Sequence, residues 1–264
     1  MMLPTLPTVP AEVNRAATAE LRKITAVRSG WMLPPVLAAV GFVVASASAL
    51  RGSGPQPREA LVTGTATVGL YLAIAVAVGA AAIGGAVAAG DEYRYRSMGL
   101  TALFTPDRNV LFGAKAGVAA AYSLVLAAGA EIGAALGLLA FGRHTVEFGW
   151  RLVGVFGGGL LAAVCWGVIG VGLGLLVRSP NPAVIAMAGW LFILEPLIWL
   201  VAKGAGIAGV VVLLPGSATI GSVAVGSFPE SPFLPPNAAS AVVLVVWAIA
   251  AGAAGWWYLR TRDI

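Results

Sequence analysis

The sequence predicts an all-α integral membrane protein with six transmembrane helices, and three observations carry that expectation. Hydrophobic residues fill 59% of the 264 positions and charged residues only 10%, whereas a soluble domain carries about 25% charge. Six apolar runs, at 32–50, 61–89, 111–141, 152–177, 183–202 and 238–259, are each long enough at ~1.5 Å per residue to cross a ~30 Å hydrocarbon core as a helix. The runs are continuously apolar rather than alternating, which argues against a transmembrane barrel. They leave no space for a soluble domain, so a single transmembrane domain over 1–264 is expected, with its six-helix bundle at 32–259.

The first ten residues, "MMLPTLPTVP", hold three prolines without periodicity and read as a mobile tail. From Ala11 to Trp31, Val13, Ala17, Leu21, Ile24, Val27 and Trp31 recur at three- and four-residue steps while Arg15, Arg22 and Lys23 point elsewhere. Residues 11–31 therefore read as an interfacial helix, its apolar stripe at the headgroups and its cations toward anionic lipid. Arg28 sits near the stripe, close enough to the first span to snorkel. A plain positive anchor is the alternative. The small residues of "ASASAL" at 45–50 resemble a signal-peptide cleavage site, but about thirty residues precede that run and a retained anchor is expected.

Orientation follows from Lys and Arg. With the N-terminus cytoplasmic, Arg15, Arg22, Lys23, Arg28, Arg94, Arg96, Arg108, Lys115, Arg178, Arg260 and Arg262 lie inside, against Arg51, Arg58, Arg143, Arg151 and Lys203 outside. This bias places both termini, including residues 260–264, in the cytoplasm. The net charge of +5 is then membrane topology, and nucleic acid is not an expected partner because no basic soluble face exists.

Between the second and third runs stands "GDEYRYRSMGLTALFTPDRNVLFGAK". Asp91 is placed to cap a short cytoplasmic helix with first-turn carboxylates, and Pro106 to end it. Tyr93, Met98, Leu100, Leu103 and Phe104 give it more apolar surface than a solvated turn requires. A peg docking on another protein and a helix resting on headgroups both fit.

The stretch 207–226 is apolar but broken by Pro215-Gly216, leaving arms of about eight to ten residues, too short to span. An outer re-entrant hairpin is expected; a kinked seventh span would put Arg260 and Arg262 outside. The proline-rich 227–237 reads as an extended outer connection. Trp256, Trp257 and Tyr258 before Arg260 read as an interfacial belt. Glycines recur every four residues at 129/133/137, 154/158 and 170/174, spacing that permits close helix contact.

Two carboxylates fall inside spans, Glu131 and Glu195. Each costs about 2.5–3.5 kcal/mol at a helix centre on insertion scales and should face protein or water, or be protonated. Proton relay, substrate contact and a structural hydrogen bond all fit. Pro196 weakens the helix beside Glu195, a break placed to shape a cavity. His144, the only histidine, reads as a loop residue, and Cys165, the only cysteine, builds neither a disulfide nor a thiolate metal site. No phosphate loop surrounds Lys23, Lys115 or Lys203, so the chain is not expected to be an enzyme or to hold a metal or cofactor.

Glu92-Tyr93-Arg94, Leu103-Phe104-Thr105-Pro106, Arg108 and Lys115 resemble the "E-Y-R … L-x-T-P … R … K" cytoplasmic segment of type-2 ATP-binding cassette exporter permeases. "AELRKITAVRSGW" is similar to that family's N-terminal connecting helix, and Glu195-Pro196 followed by Leu214-Pro215-Gly216 to its fifth span and outer re-entrant helices. The resemblance extends over nearly the whole chain. Ser97-Met98 departs from it, since many relatives have a Gly-Thr pair there.

What the resemblance implies is a permease half in a bacterial-type plasma membrane, paired with a second half, identical or paralogous, and with nucleotide-binding subunits that hold MgATP. It makes 91–105 a coupling helix. Contact with the ATPase would fall to Leu21, Arg22, Lys23 and Arg28 and to Asp91, Glu92, Tyr93, Arg94, Arg96, Leu103 and Phe104. Glu131 and Glu195 would line the substrate path or serve structure, and Pro215-Gly216 would turn the hairpin. Few polar groups in the spans suit a hydrophobic or amphipathic cargo, a drug, natural product or lipid. The alternatives are a proton-coupled secondary transporter using Glu131 and Glu195, although no inverted repeat is apparent, and a non-transporting membrane sensor subunit.

Overall fold

The computed structural model describes residues 10–52, 67–142, 149–225, 233–234 and 236–262. Residues 1–9 of the expected tail (1–10), Arg58, Arg143, His144, the start of the second run (61–66), most of the proline-rich connection and residues 263–264 of the expected C-terminus lie outside these residues. All regular structure among the described residues is helical, and six helical segments are long and apolar enough to cross a membrane.

Helix α1 (Ala11–Ala26) precedes the first long helix, α2 (Arg28–Arg51). The expected continuous helix 11–31 is corrected here: Val27 is extended (φ −98°, ψ 142°), so the chain turns before Arg28, and Arg28 to Trp31 begin α2. Helix α3 (Val68–Arg94) runs five residues past the expected end at 89. Asp91, Glu92, Tyr93 and Arg94 are therefore its last turn, and Asp91 caps no separate helix.

At the end of α3, Ser97 N–H donates to the Glu92 carbonyl (2.8 Å) and Arg96 N–H to that of Tyr93 (3.1 Å), the paired bonds of a Schellman cap. Its left-handed position is held by Arg96 (φ 56°) where glycine is usual. The short helix, α4, covers only Met98–Phe104. Pro106 separates it from α5 (Arg108–Phe141), whose cap is Asp107, accepting from Asn109 N–H at 2.8 Å.

Helix α6 (Trp150–Val177) returns the chain and is the most buried long helix. The fifth long segment is composite: α7 (Pro180–Gly189), a π-helical turn (Trp190–Leu194) and α8 (Glu195–Gly204). Pro196 has no N–H to donate back into that turn. A 3-10 turn (Ala208–Leu213) and α9 (Pro215–Val223) form a two-armed unit, and α10 (Asn237–Thr261) completes the bundle. Arg108 Nη1 donates to the carbonyls of Leu259 (2.5 Å) and Arg262 (3.0 Å), so the α4–α5 corner and the end of α10 share one end of the bundle. The 3-10/α9 unit lies at the other.

Small residues set the helix pairs. An ideal Cβ on Gly133 would lie 1.9 Å from the Ala38 carbonyl oxygen, and one on Gly129 or Gly137 would press on Pro34 or Phe42, so the 129/133/137 repeat faces α2. Gly170 and Gly174 meet α3 at Ala82 and Ala86, whereas Gly158 meets α9 at Ser222. Between apolar helices in lipid, association depends on this close van der Waals approach.

Gly84 and Gly85 offer an internal control within α3. A Cβ at Gly85 would sit 2.1 Å from the Gly167 carbonyl oxygen, whereas one at Gly84 meets nothing within 4 Å. Gly85→Ala is expected to lower stability by about 1–3 kcal/mol through overpacking, and Gly84→Ala to raise it by up to about 1 kcal/mol through helix propensity. Thermal unfolding of the two variants in detergent checks the difference in sign.

Candidate functional site

Four charged side chains meet where α1 crosses the bases of α3 and α5. Lys115, on the second turn of α5, is 1% exposed. Its Nζ donates to Glu92 Oε1 (2.6 Å) and to both Glu20 oxygens (3.1 and 3.2 Å). Lys23 Nζ donates to Glu20 Oε1 at 2.6 Å and also to Glu92 Oε1. Two acids and two amines thus compensate one another, linking three helices. Burial by itself would lower the Lys23 pKa, but the hydrogen bonds and charges of Glu20 and Glu92 outweigh it and leave it raised above 10.5. The sign is that of a cation with favourable partners: the stability it contributes is complete below the unfolded value and falls only as pH rises through the still higher folded one.

The expected apolar stripe on α1 is not the packed face. Ala16 and Glu20 are buried against the bundle, whereas Leu21 is 51% exposed and Val27 and Trp31 also face outward. Arg22 and Arg28 are exposed. Across the end of α3, Asp91 is half-buried and its backbone carbonyl accepts from Tyr95 N–H. Tyr93 lies under Arg178, and Arg94 lies over the Tyr95 ring at 5.6 Å.

Helix α4 anchors through Met98, which packs with Leu111, Val171, Leu175 and Leu259. Its other face is bare: Leu100 is exposed, Leu103 is 76% exposed and Phe104 86%. The α4 corner therefore projects apolar surface from a base fastened by the α3 cap, the charged quartet and the Asp107 cap.

At the opposite end, Glu195 is 2% exposed. Its carboxyl group accepts from Gly216 N–H (3.0 Å), Ser217 N–H (2.6 Å), Ser217 Oγ (3.3 Å) and Trp190 Nε1 (3.1 Å). Pro215 occupies the first position of α9 and has no N–H, and no local side chain caps that helix. Glu195 therefore supplies the cap from α8. Any side chain on Gly216 would strike that carboxyl group, with a Cβ 2.6 Å from Oε1. Trp166 Nε1 donates to Thr219 Oγ1 and Trp247 Nε1 to the Leu213 carbonyl, both at 2.8 Å. Glu131 stands apart from this arrangement. It is buried against Gly159 and Ile74, and its Oε1 has no hydrogen-bond partner among the described residues.

Glu195, Trp166, Phe192, Trp199 and Ile220 help line an apolar groove of about 790 Å³ against Tyr71, Ile74 and Val78 of α3. With the carboxyl group committed to α9, the groove presents mainly aromatic and aliphatic surface. Such a surface accommodates an apolar molecule and offers little to a sugar or an ion.

Glu20 and Arg178 were not legible as site residues. Lys115 carried a usable signal, since a lysine inside an apolar span calls for a buried partner, but nothing in the sequence says that the partner comes from residue 20. No family model matches the chain, and neither does any curated protein or solved structure.

Removing one member of a buried ion cluster leaves the others uncompensated, at a cost of about 3–5 kcal/mol. Lys115→Met is expected to destabilise by that order. Adding Glu92→Gln, which restores charge balance around the remaining Glu20–Lys23 pair, is expected to recover much of the loss, as read by thermal unfolding in detergent. For Glu195→Ala, loss of the α9 cap is expected to cost about 1–2 kcal/mol and to speed amide exchange at Gly216 and Ser217, which mass spectrometry follows.

Proposed function

We propose that this chain is the transmembrane permease half of an ATP-driven ATP-binding cassette exporter. It works with a second permease half and with separate nucleotide-binding subunits that carry MgATP, and it moves a hydrophobic or amphipathic molecule out of the cytoplasm or inner leaflet across a bacterial-type plasma membrane. The observation that carries the reading is α4: a seven-residue helix that exposes Leu103 and Phe104 while both of its flanks are tied to the bundle. A helix resting free on headgroups needs no such bracing. A peg that receives force does.

The segment similarity from Glu92 to Lys115 supports the same assignment, since it ends on the two residues that the buried quartet joins. In this account closure of the ATPase subunits displaces α4, and α1, α3 and α5 move with it because Glu20, Lys23, Glu92 and Lys115 hold them together. ATP drives the change only through contacts that differ between the two states. The groove of about 790 Å³ suits the apolar cargo class. A proton-carrier role for Glu195 is less well supported, because its carboxyl group is already engaged by α9 and Trp190.

Co-expression with a cassette ATPase from a neighbouring reading frame tests the reading. The parent chain is expected to co-purify with the ATPase and raise its turnover, and to support ATP-dependent export of an apolar dye from vesicles. Phe104→Asp with Leu103→Asp is expected to abolish co-purification while leaving the permease folded, because both side chains already face outward. Retained co-purification and export in that variant would contradict the role of α4.

A further inference from the structure

Arg178, between α6 and α7, combines two independent features. Its backbone is left-handed (φ 54°, ψ 25°), a region in which a non-glycine residue is uncommon and arginine is not among the residue types enriched. Its guanidinium carbon lies 5.5 Å from the Tyr93 ring centroid and 5.0 Å from that of Tyr258, both within cation–π range. Arg96, the other left-handed arginine, differs in that its cap bonds account for the backbone and its side chain is exposed. At Arg178 the side chain is half-buried and lies between the Tyr93 ring of α3 and the Tyr258 ring of α10.

The neighbouring turn is lodged against α3 as well. A Cβ on Gly90, one turn before Tyr93, would lie 2.5 Å from Pro180 N and 2.8 Å from the Ser179 carbonyl carbon. Pro180 begins α7, so the direction of the 178–180 turn sets the direction of the whole fifth segment, the least buried of the six. The α3–α4 corner, the entry to the fifth segment and the end of α10 therefore meet at one guanidinium. Backbone strain maintained at such a junction marks a constraint that the surroundings enforce.

We propose that Arg178 is a positioning residue that transmits displacement of the α3–α4 corner to the fifth segment, by holding the 178–180 turn between Tyr93 and Tyr258. The proposal rests on the exporter reading and deepens it by naming a route from α4 to α7. Planarity matters to the contact: a guanidinium can stack on an aromatic face, and an ammonium does not reproduce that.

Arg178→Gly and Arg178→Asn separate transmission from folding, since both residues accept a left-handed backbone and neither can stack. In the purified full chain without any ATPase, both variants are expected to keep the parent unfolding temperature or exceed it. Amide exchange at Ala183 and Val184, the first amides of α7 with an intrahelical acceptor, should at the same time rise severalfold. In the reconstituted complex, cargo moved per ATP should fall about fivefold, within the range for residues along a coupling route, while hydrolysis continues. Tyr258→Phe, which keeps the ring, is expected to behave as the parent, and Tyr258→Ala as Arg178→Gly.

Unchanged exchange at Ala183 and Val184 would overturn the pin. Faster exchange with unchanged cargo per ATP would overturn the transmission step and leave the exporter reading standing. Absence of ATP-dependent transport by the parent complex would instead overturn both.

Discussion

Lys115 has no route to water, and that decides where α1 must lie. An ammonium this deeply buried needs acceptors on more than one side. It finds Glu92 on α3 and Glu20 on α1, and Lys23 then spans the same two carboxylates from the exposed edge. Removing α1 would leave Lys115 and Glu92 partly unpaired at the foot of the bundle. The amphipathic helix is thus held by charge as well as by apolar contact, and α3, α5 and α1 are fastened beside the one short helix that projects Leu103 and Phe104. In lipid, where apolar surface gives helices little reason to prefer each other over acyl chains, a compensated ionic cluster is a strong way to fix such a geometry.

The other end of the bundle uses the same logic with a different donor set. Placing an acid at a helix centre costs about 2.5–3.5 kcal/mol on insertion scales, and charge-assisted hydrogen bonds at about 1.5–3 kcal/mol each offset it. The donors at Glu195 are the first free N–H groups of α9 and the Trp190 indole, so the acid and the helix terminus satisfy each other. The π-turn before Glu195 and the missing N–H of Pro196 interrupt the regular hydrogen-bond ladder of the fifth segment. The Glu195 bridge also connects that stretch to α9 beside the groove.

The long helices could be read from apolar length alone, and the glycine repeats foretold close packing, though not their partners: Gly133 faces α2, Gly170 faces α3 and Gly158 faces α9. The extent of α3 could not be read in the same way, because Asp91 and Glu92 look like first-turn capping residues when the helix preceding them is expected to stop at 89. On α1, periodicity identifies a stripe but not which residues pack on protein: Leu21 is exposed while Glu20 is buried. The roles of Glu195 and Arg178 depend on residues distant in the chain, Gly216 and Tyr258, and no local pattern encodes those pairings.

Because the bracing of the α4 corner is the core of the account, its direct test is whether α1 and α4 move as one body. Spin labels at Thr18 on α1 and Leu100 on α4, both exposed, report the distance within the braced unit in the reconstituted complex. A second pair, Leu100 with Ile193, reports its displacement relative to the fifth segment. Adding MgATP should leave the first distance unchanged and shift the second. A first distance that changes while the second stays fixed would contradict a rigid, force-receiving corner.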